Sequence, residues 1–274
     1  MTNAPDSPAP PPFAATPGRL TLYRVAFLTI VIKEVNRFLR IWLQTVLPPA
    51  ITMGLYFVIF GNLIGPRIGT MAGYPYMQYI APGIIMMAII TNAYSNVVSS
   101  FFGAKFQKHI EEILVAPVPH ILILAGYVSG GICRGILVGL VVTLVALFFT
   151  DLTVHSYLVT AAVVVLTSAL FSLGGLINAI FARKFDDISI VPTFVLTPLT
   201  YLGGVFYSIE LLPPFWRDLS LLNPILYMVN AFRFGILGVS DIAIGQAFVV
   251  LLAFVVLLTG VSLLLLERGV GLRT

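Results

Sequence analysis

Charge is what this chain has least of: 9% of its 274 residues are Asp, Glu, Lys or Arg, against 59% hydrophobic residues and a mean hydropathy of +1.02. Soluble domains carry roughly 25% charged residues, so a water-soluble globular fold is excluded and a chain that crosses a bilayer repeatedly is expected. Cysteine is almost absent. Cys133 stands alone inside an apolar run, so no disulfide braces the fold. His109, His120 and His155 lack metal-ligand spacing, and Asp186-Asp187 is a lone acidic pair that reads as neutralising Arg183 and Lys184. No metal site, bound cofactor or catalytic constellation is expected. A G-x-x-x-x-G-K-[ST] phosphate loop is missing too, so this chain holds no nucleotide of its own. The net charge of +4 and pI near 9.3 reflect basic residues at span ends rather than an affinity for nucleic acid.

What the chain does have is long apolar runs. Lipid offers the backbone no hydrogen-bond partners, and continuous runs of about 20 apolar residues do not fit the alternating pattern of a barrel. The fold class is therefore an all-α membrane protein. Six spans are read at Leu43–Leu63, Tyr79–Ser100, Ile121–Phe149, Tyr157–Phe181, Ile188–Tyr207 and Ala243–Leu266, within a domain over residues 42–274. Residues 1–18 hold six prolines and no basic residue, and read as a disordered tail. Residues 19–41 place Phe27, Val31, Val35 and Phe38 on one helical side and Lys33, Asn36, Arg37 and Arg40 on the other. Such a helix is expected to lie in the membrane interface, apolar face down.

The basic residues sort to two sides. Arg19, Arg24, Lys33, Arg37, Arg40, Lys105, Lys108, Arg183, Lys184, Arg268 and Arg273 flank one face, while Arg67, Arg217 and Arg233 flank the other. By the positive-inside rule both termini are cytosolic. Between the second and third spans lies a charged, amphipathic handle, Phe101 to Pro119, read as a helix from Phe102 to Val115 on the cytosolic side. Its apolar Ile110, Ile113, Leu114 and Val115 suit insertion into a partner's groove, its Lys105, Lys108, Glu111 and Glu112 suit the rim, and Pro117 with Pro119 ends it. From Ser208 to Val239 the chain is apolar yet broken by Pro213, Pro214 and Pro224, with Trp216 and Tyr227 placed at headgroup depth. That pattern reads as a re-entrant cap on the outer face.

Three segments, in this order on a six-span frame, resemble the permease subunits of ABC type-2 transporters. They are Tyr79-Ile80-Ala81-Pro82-Gly83-Ile84 opening the second span, Glu111-Glu112-Ile113-Leu114-Val115-Ala116-Pro117 in the handle, and Leu212-Pro213-Pro214-Phe215-Trp216 through Asn223-Pro224 to Arg233. The resemblance implies a bacterial inner-membrane exporter in which two permease protomers, expected as a homodimer, work with two copies of a cytosolic ATPase that binds ATP and Mg. The handle becomes the coupling element. The cargo class implied is drug, lipid, glycan or lipo-oligosaccharide.

With the pathway at the protomer interface, the second and fifth spans are expected to line it. They offer Asn92, Tyr94, Asn96, Thr193, Thr197, Thr200 and Tyr201 among apolar neighbours, and the competing reading is that these groups bond nearby backbone carbonyls. Gly131, Gly135 and Gly139, with Gly126 and Gly130 offset, form a ridge for helix packing within or between protomers. Arg134 lies beside it, 15 residues before Phe149, which puts it roughly 22 Å from the outer boundary and about 8 Å inside the inner one. Snorkelling, an acidic partner or an anionic headgroup would each account for it. An ion-coupled secondary carrier is the alternative function; it would normally require an ionisable or ion-coordinating group within the membrane and matching interrupted halves, yet none of the 11 acidic residues falls inside a proposed span and no such halves are found.

Overall fold

The computed structural model describes residues 18–271. The tail expected over 1–18 lies outside them except for Gly18, as does Arg273. α1 (Arg19–Arg40) is separated from α2 (Trp42–Tyr56) by a break at Ile41, and α2 continues through π-helical turns (Phe57–Ile64) into α3 (Gly65–Ile68). A two-residue hairpin, β1 (Thr70–Met71) and β2 (Tyr74–Pro75), turns at Ala72 and Gly73 in left-handed backbone. The chain then forms α4 (Tyr76–Phe106), α5 (His109–Val115), α6 (His120–Leu147) and α7 (Tyr157–Phe181). Short α8 (Asp187–Val191) and α9 (Thr197–Tyr201) are joined by a π-helical turn, and α10 (Pro214–Leu221), α11 (Pro224–Leu237) and α12 (Ile244–Arg268) complete the fold.

Among the described residues, five segments are long and apolar enough to cross a bilayer: Trp42–Ile68, α4, α6, α7 and α12. The crossing expected over Ile188–Tyr207 is helical only from Asp187 to Tyr201, roughly 22 Å at the α-helical rise, and so falls short of a 30 Å core. Turns from Leu202 to Tyr207 finish the journey. Such irregular backbone survives at membrane depth only when buried in protein, and Val205 is fully buried against Gly83 of α4, where an added Cβ would lie 2.5 Å from the Val205 carbonyl oxygen. The cap is two helices bent by 87°. Each starts on proline: Pro214 opens α10, and Pro224 opens α11 behind Asn223, whose Oδ1 accepts the Ile225 N–H at 3.0 Å.

α4 is the centre of the bundle, packed against α6, α7 and α11 and reached by side chains of α1, with Tyr79, Ile80, Ala81, Ile84, Met86 and Ala88 fully buried. The glycine ridge explains how neighbours come so close. A Cβ on Gly131 would lie 2.0 Å from Ser172 Oγ of α7, and one on Gly135 would lie 2.7 Å from Ser168 Oγ; Gly139 faces Ile89 of α4. The ridge therefore packs helices within one protomer. The offset pair serves a different neighbour, since Gly126 and Gly130 receive Ile30 and Glu34 of α1.

The apolar side of α1 is partly turned to the protein, with Phe27, Val31 and Val35 half-buried. Glu34 and Phe38 are its buried residues, while Leu28, Ile32 and Leu39 are exposed. Glu34 and Arg37 turn inward because α4 offers them partners: Ser100 Oγ donates to Glu34 Oε1 at 2.6 Å, and Arg37 Nη2 donates to Asn96 Oδ1 at 2.8 Å.

Candidate functional site

The bundle has a handle end and a cap end. At the handle end α4 runs to Phe106, breaks at Gln107 and Lys108, the latter at φ 61°, and resumes as α5, so the single helix expected over Phe102 to Val115 is two. Ile110 is 1% exposed, held in the chain's own core, and this corrects its assignment to a partner's groove. Ile113 and Leu114 are half-buried against that core. Val115 is the apolar side chain left free, 86% exposed, beside exposed Lys108, Glu111, Glu112 and Pro117. Between α1 and the α5–α6 connection run two apolar grooves of about 290 and 320 Å³, sharing Ala26, Ala116 and Val118.

Lys105 is not a rim residue. Its ammonium donates to the carbonyls of Ile180 at 2.5 Å and Ala182 at 2.7 Å, closing the C-terminal turn of α7 with a cation where the helix dipole favours one. A cleft of about 630 Å³ lies beside it, lined by Phe102, Phe106, Lys108, Glu111 and Arg183. The Asp186-Asp187 pair does not neutralise the neighbouring cations through side chains either. Asp187 Oδ2 accepts the backbone N–H groups of Arg183 at 2.8 Å and Lys184 at 3.1 Å, and these donors hold its carboxyl below the usual carboxylate range.

At the cap end the decisive residue is Arg233, fully buried where the sequence suggested an exposed flanking charge. Its guanidinium donates to the carbonyls of Gly204 at 2.6 Å and Tyr79 at 3.3 Å and to Asn230 Oδ1 at 3.3 Å, and lies 4.1 Å from the Tyr79 ring centroid. Asn230 Oδ1 also accepts the Asp241 N–H, and Asp241 Oδ2 accepts the Ile209 N–H, both at 3.0 Å. One network thus ties α4, the Gly204 turn, α11 and the link to α12. Trp216 on α10 is half-exposed, whereas Tyr227 is buried and donates to the Leu221 carbonyl at 2.8 Å. Asn223 Nδ2 donates to the Leu199 carbonyl, fastening the cap to α9.

Residues 25–237 match the family described as ABC-2 type transporter. The chain belongs to that family. It is 61% identical over 253 residues to the inner membrane transport permease YadH of Escherichia coli K12, covering 92% of this chain and 99% of the relative, and the Shigella flexneri protein of that name matches equally. Nodulation protein J of Neorhizobium galegae is 23% identical over 217 residues, 78% of this chain and 82% of that protein.

In this ABC-2 permease the expected pathway residues divide. Asn92, Tyr94 and Asn96 are buried inside the protomer because α4 is central, and they are engaged there: Asn92 Nδ2 donates to the Ala88 carbonyl at 3.0 Å, Tyr94 Oη accepts Asn178 Nδ2 at 2.7 Å, and Asn96 holds Arg37. Thr200 is buried and bonds the Leu196 carbonyl. Thr193, Thr197 and Tyr201 are exposed on the outer side of α8–α9, with Thr197 donating to the Pro192 carbonyl. Sequence reasoning missed the part of α4 that does reach the surface: Met87, Thr91, Ser95 and Ser99, spaced by four, form a stripe between α1 and α9. That i, i+4 spacing was the available signal. It also missed Tyr56, whose hydroxyl lies 3.3 Å from that of Tyr201, with Phe60 and Phe206 stacked beside them at 4.5 Å.

Proposed function

We propose that this chain is the permease of an ATP-driven exporter in the bacterial inner membrane, a homodimer served by two copies of a separate cytosolic ATPase that binds ATP and Mg. The cargo is amphipathic or lipid-linked. The observation that carries the reading is α5: a short exposed helix between two spans, rooted in the core by Ile110 and presenting Val115 beside apolar grooves shared with α1. A push on α5 reaches α4 through the Ile110 contact, and Lys105 couples α4 to the end of α7. The mechanism is alternating access, with the protomer interface as pathway, the exposed faces of α4 and α8–α9 as its walls, and the Tyr56–Tyr201 pair with the cap at its outer mouth.

Co-expression with the cognate ATPase is expected to give a complex of two permeases and two ATPases, and Val115→Asp to weaken that complex by about 2–5 kcal/mol, as expected for a charge placed in an apolar contact. Val115 is exposed, so the bundle should fold and its detergent-solubilised yield should stay unchanged. A Val115→Asp protein that binds the ATPase with parental affinity removes α5 from the interface. The orientation has its own test. Cysteines placed beside Arg67 and Arg217 in a Cys133-free background should react with an impermeant maleimide from outside, and those beside Lys105 and Lys184 should not. External labelling at position 184 in intact cells overturns the proposed topology.

A further inference from the structure

Arg134 is a cation without an acid. It stands midway along α6, and its Nη2 donates to Asn92 Oδ1 at 3.2 Å on the equally central turn of α4. Among the described residues the one ion pair is Glu34–Arg37 at 3.4 Å, one turn away toward the handle end. The neighbourhood therefore holds two guanidiniums and one carboxylate. It is short of acceptors as well: the Nε atoms of Arg134 and Arg37, Nδ2 of Asn96 and Oη of Tyr127 are all buried with no hydrogen-bond partner, and Asn96 and Tyr127 are themselves fully buried.

These orphan donors share one region. Asn92 and Asn96 are successive turns of α4, and Gly130 packs on both Glu34 and Asn96: an added Cβ would lie 2.6 Å from Glu34 Cβ and 3.3 Å from Asn96 Nδ2. Buried donors in folded proteins are ordinarily satisfied, and a lone guanidinium inside a membrane span is unfavourable unless something negative reaches it. Water could fill the hydrogen bonds but not the charge. The region also borders a surface: Arg37 is 30% exposed and donates to Ser99 Oγ at 3.5 Å, on the stripe of α4 that runs through Ser95 to exposed Thr91.

We infer that Arg134, with Arg37, Asn92 and Asn96, recognises an anionic headgroup, phosphate or carboxylate, on the amphiphile this permease carries. The inference rests on the transport reading above and narrows its cargo. Guanidinium forks match the geometry of both anions, and the low-dielectric surroundings strengthen the contact while the apolar tail stays in the bilayer. Asn92 and Asn96 act as positioning residues: each accepts from an arginine through Oδ1 and so fixes the direction of the fork.

The test uses the full-length chain, with its ATPase where the two co-purify, in nanodiscs of phosphatidylcholine, titrated with four probes: dodecyl phosphate, dodecanoate, dodecyl maltoside and inorganic phosphate. The two anionic amphiphiles should bind. Maltoside and free phosphate should bind at least about tenfold more weakly, a difference of roughly 1.4 kcal/mol. Arg134→Gln should lose the anionic preference and Arg134→Lys should keep part of it. Asn92→Asp decides the matter if Arg134→Gln fails to accumulate. It supplies the missing acid beside Arg134, so the protein should fold at least as well as the parent yet lose the anionic amphiphiles by about tenfold or more. A purely structural role for the cluster predicts unchanged binding by that variant, which would overturn the proposal, as would equal affinity for maltoside or for free phosphate. Binding is read without ATP turnover, so failure to assemble with an ATPase leaves this result standing. Absence of an anionic preference in a complex that still hydrolyses ATP removes only the headgroup assignment.

Discussion

Arg233→Ala is expected to destabilise the protein by about 3–5 kcal/mol, seen as a lowered thermal midpoint in detergent and a loss of folded yield. The side chain is fully buried and is shared by three elements, so its removal leaves the Gly204 and Tyr79 carbonyls and Asn230 Oδ1 short of a donor and opens a cavity against the Tyr79 ring. Each unsatisfied buried group costs about 1–3 kcal/mol. Arg233→Lys should recover only part of the loss, because an ammonium is a point donor and cannot span acceptors arranged around a planar fork. The damage should be greatest at the cap end: limited proteolysis between α9 and α12 should accelerate before the handle end opens. An Arg233→Ala protein with parental midpoint and protease resistance would mean that the cap is held by its apolar packing alone.

Gly131→Val comes next in size. At this point α6 and α7 approach so closely that a Cβ would meet Ser172 Oγ at 2.0 Å, Val97 Cγ2 at 2.9 Å and Ser172 Cβ at 3.0 Å, and valine adds two further methyl groups. Overpacking of this kind costs about 1–3 kcal/mol even in adaptable cores, and here the contact involves two neighbours, α4 and α7. The folded yield and midpoint should fall. Ser172→Ala removes the nearest atom, so the double substitution should be more stable than the sum of the two single effects, with a coupling of about 0.5 kcal/mol or more. Strict additivity would show that the helices relax apart and that the ridge is not a tight contact. Because the ridge faces α4 and α7 of its own protomer, the mass of whatever assembly survives in mild detergent should not change.

Much of the architecture could be read from composition and run length. Scarce charge and continuous apolar stretches require helices in lipid, and the helices α4, α6, α7 and α12 fall on apolar runs legible in the sequence. The prolines of the cap are legible for the same local reason, since proline is favoured in the first turn of a helix, where Pro214 and Pro224 stand, and the chain bends between the two helices. The expected sorting of lysines and arginines by membrane side rests on short loops alone and needs no tertiary knowledge. Family membership follows from local motifs in a fixed order.

What the sequence could not fix is which face of each element meets which neighbour. Run length gave α4 as a span but not as the central one, so Asn92, Tyr94 and Asn96 were expected on a pathway and are instead enclosed, while Thr91 and Ser95 reach the surface one position earlier on the same turns. Amphipathicity set α1 apolar face down, yet a glutamate and an arginine turn inward because Ser100 and Asn96 stand opposite them. Lys105 reads as a rim charge until the end of α7 is found within reach of its ammonium. Helical periodicity is a local property, with side chains at i and i+4 sharing a face, and it determines that a face exists. Which group satisfies a buried charge is decided by partners 59 to 75 residues away in sequence, and only the packed bundle brings those together.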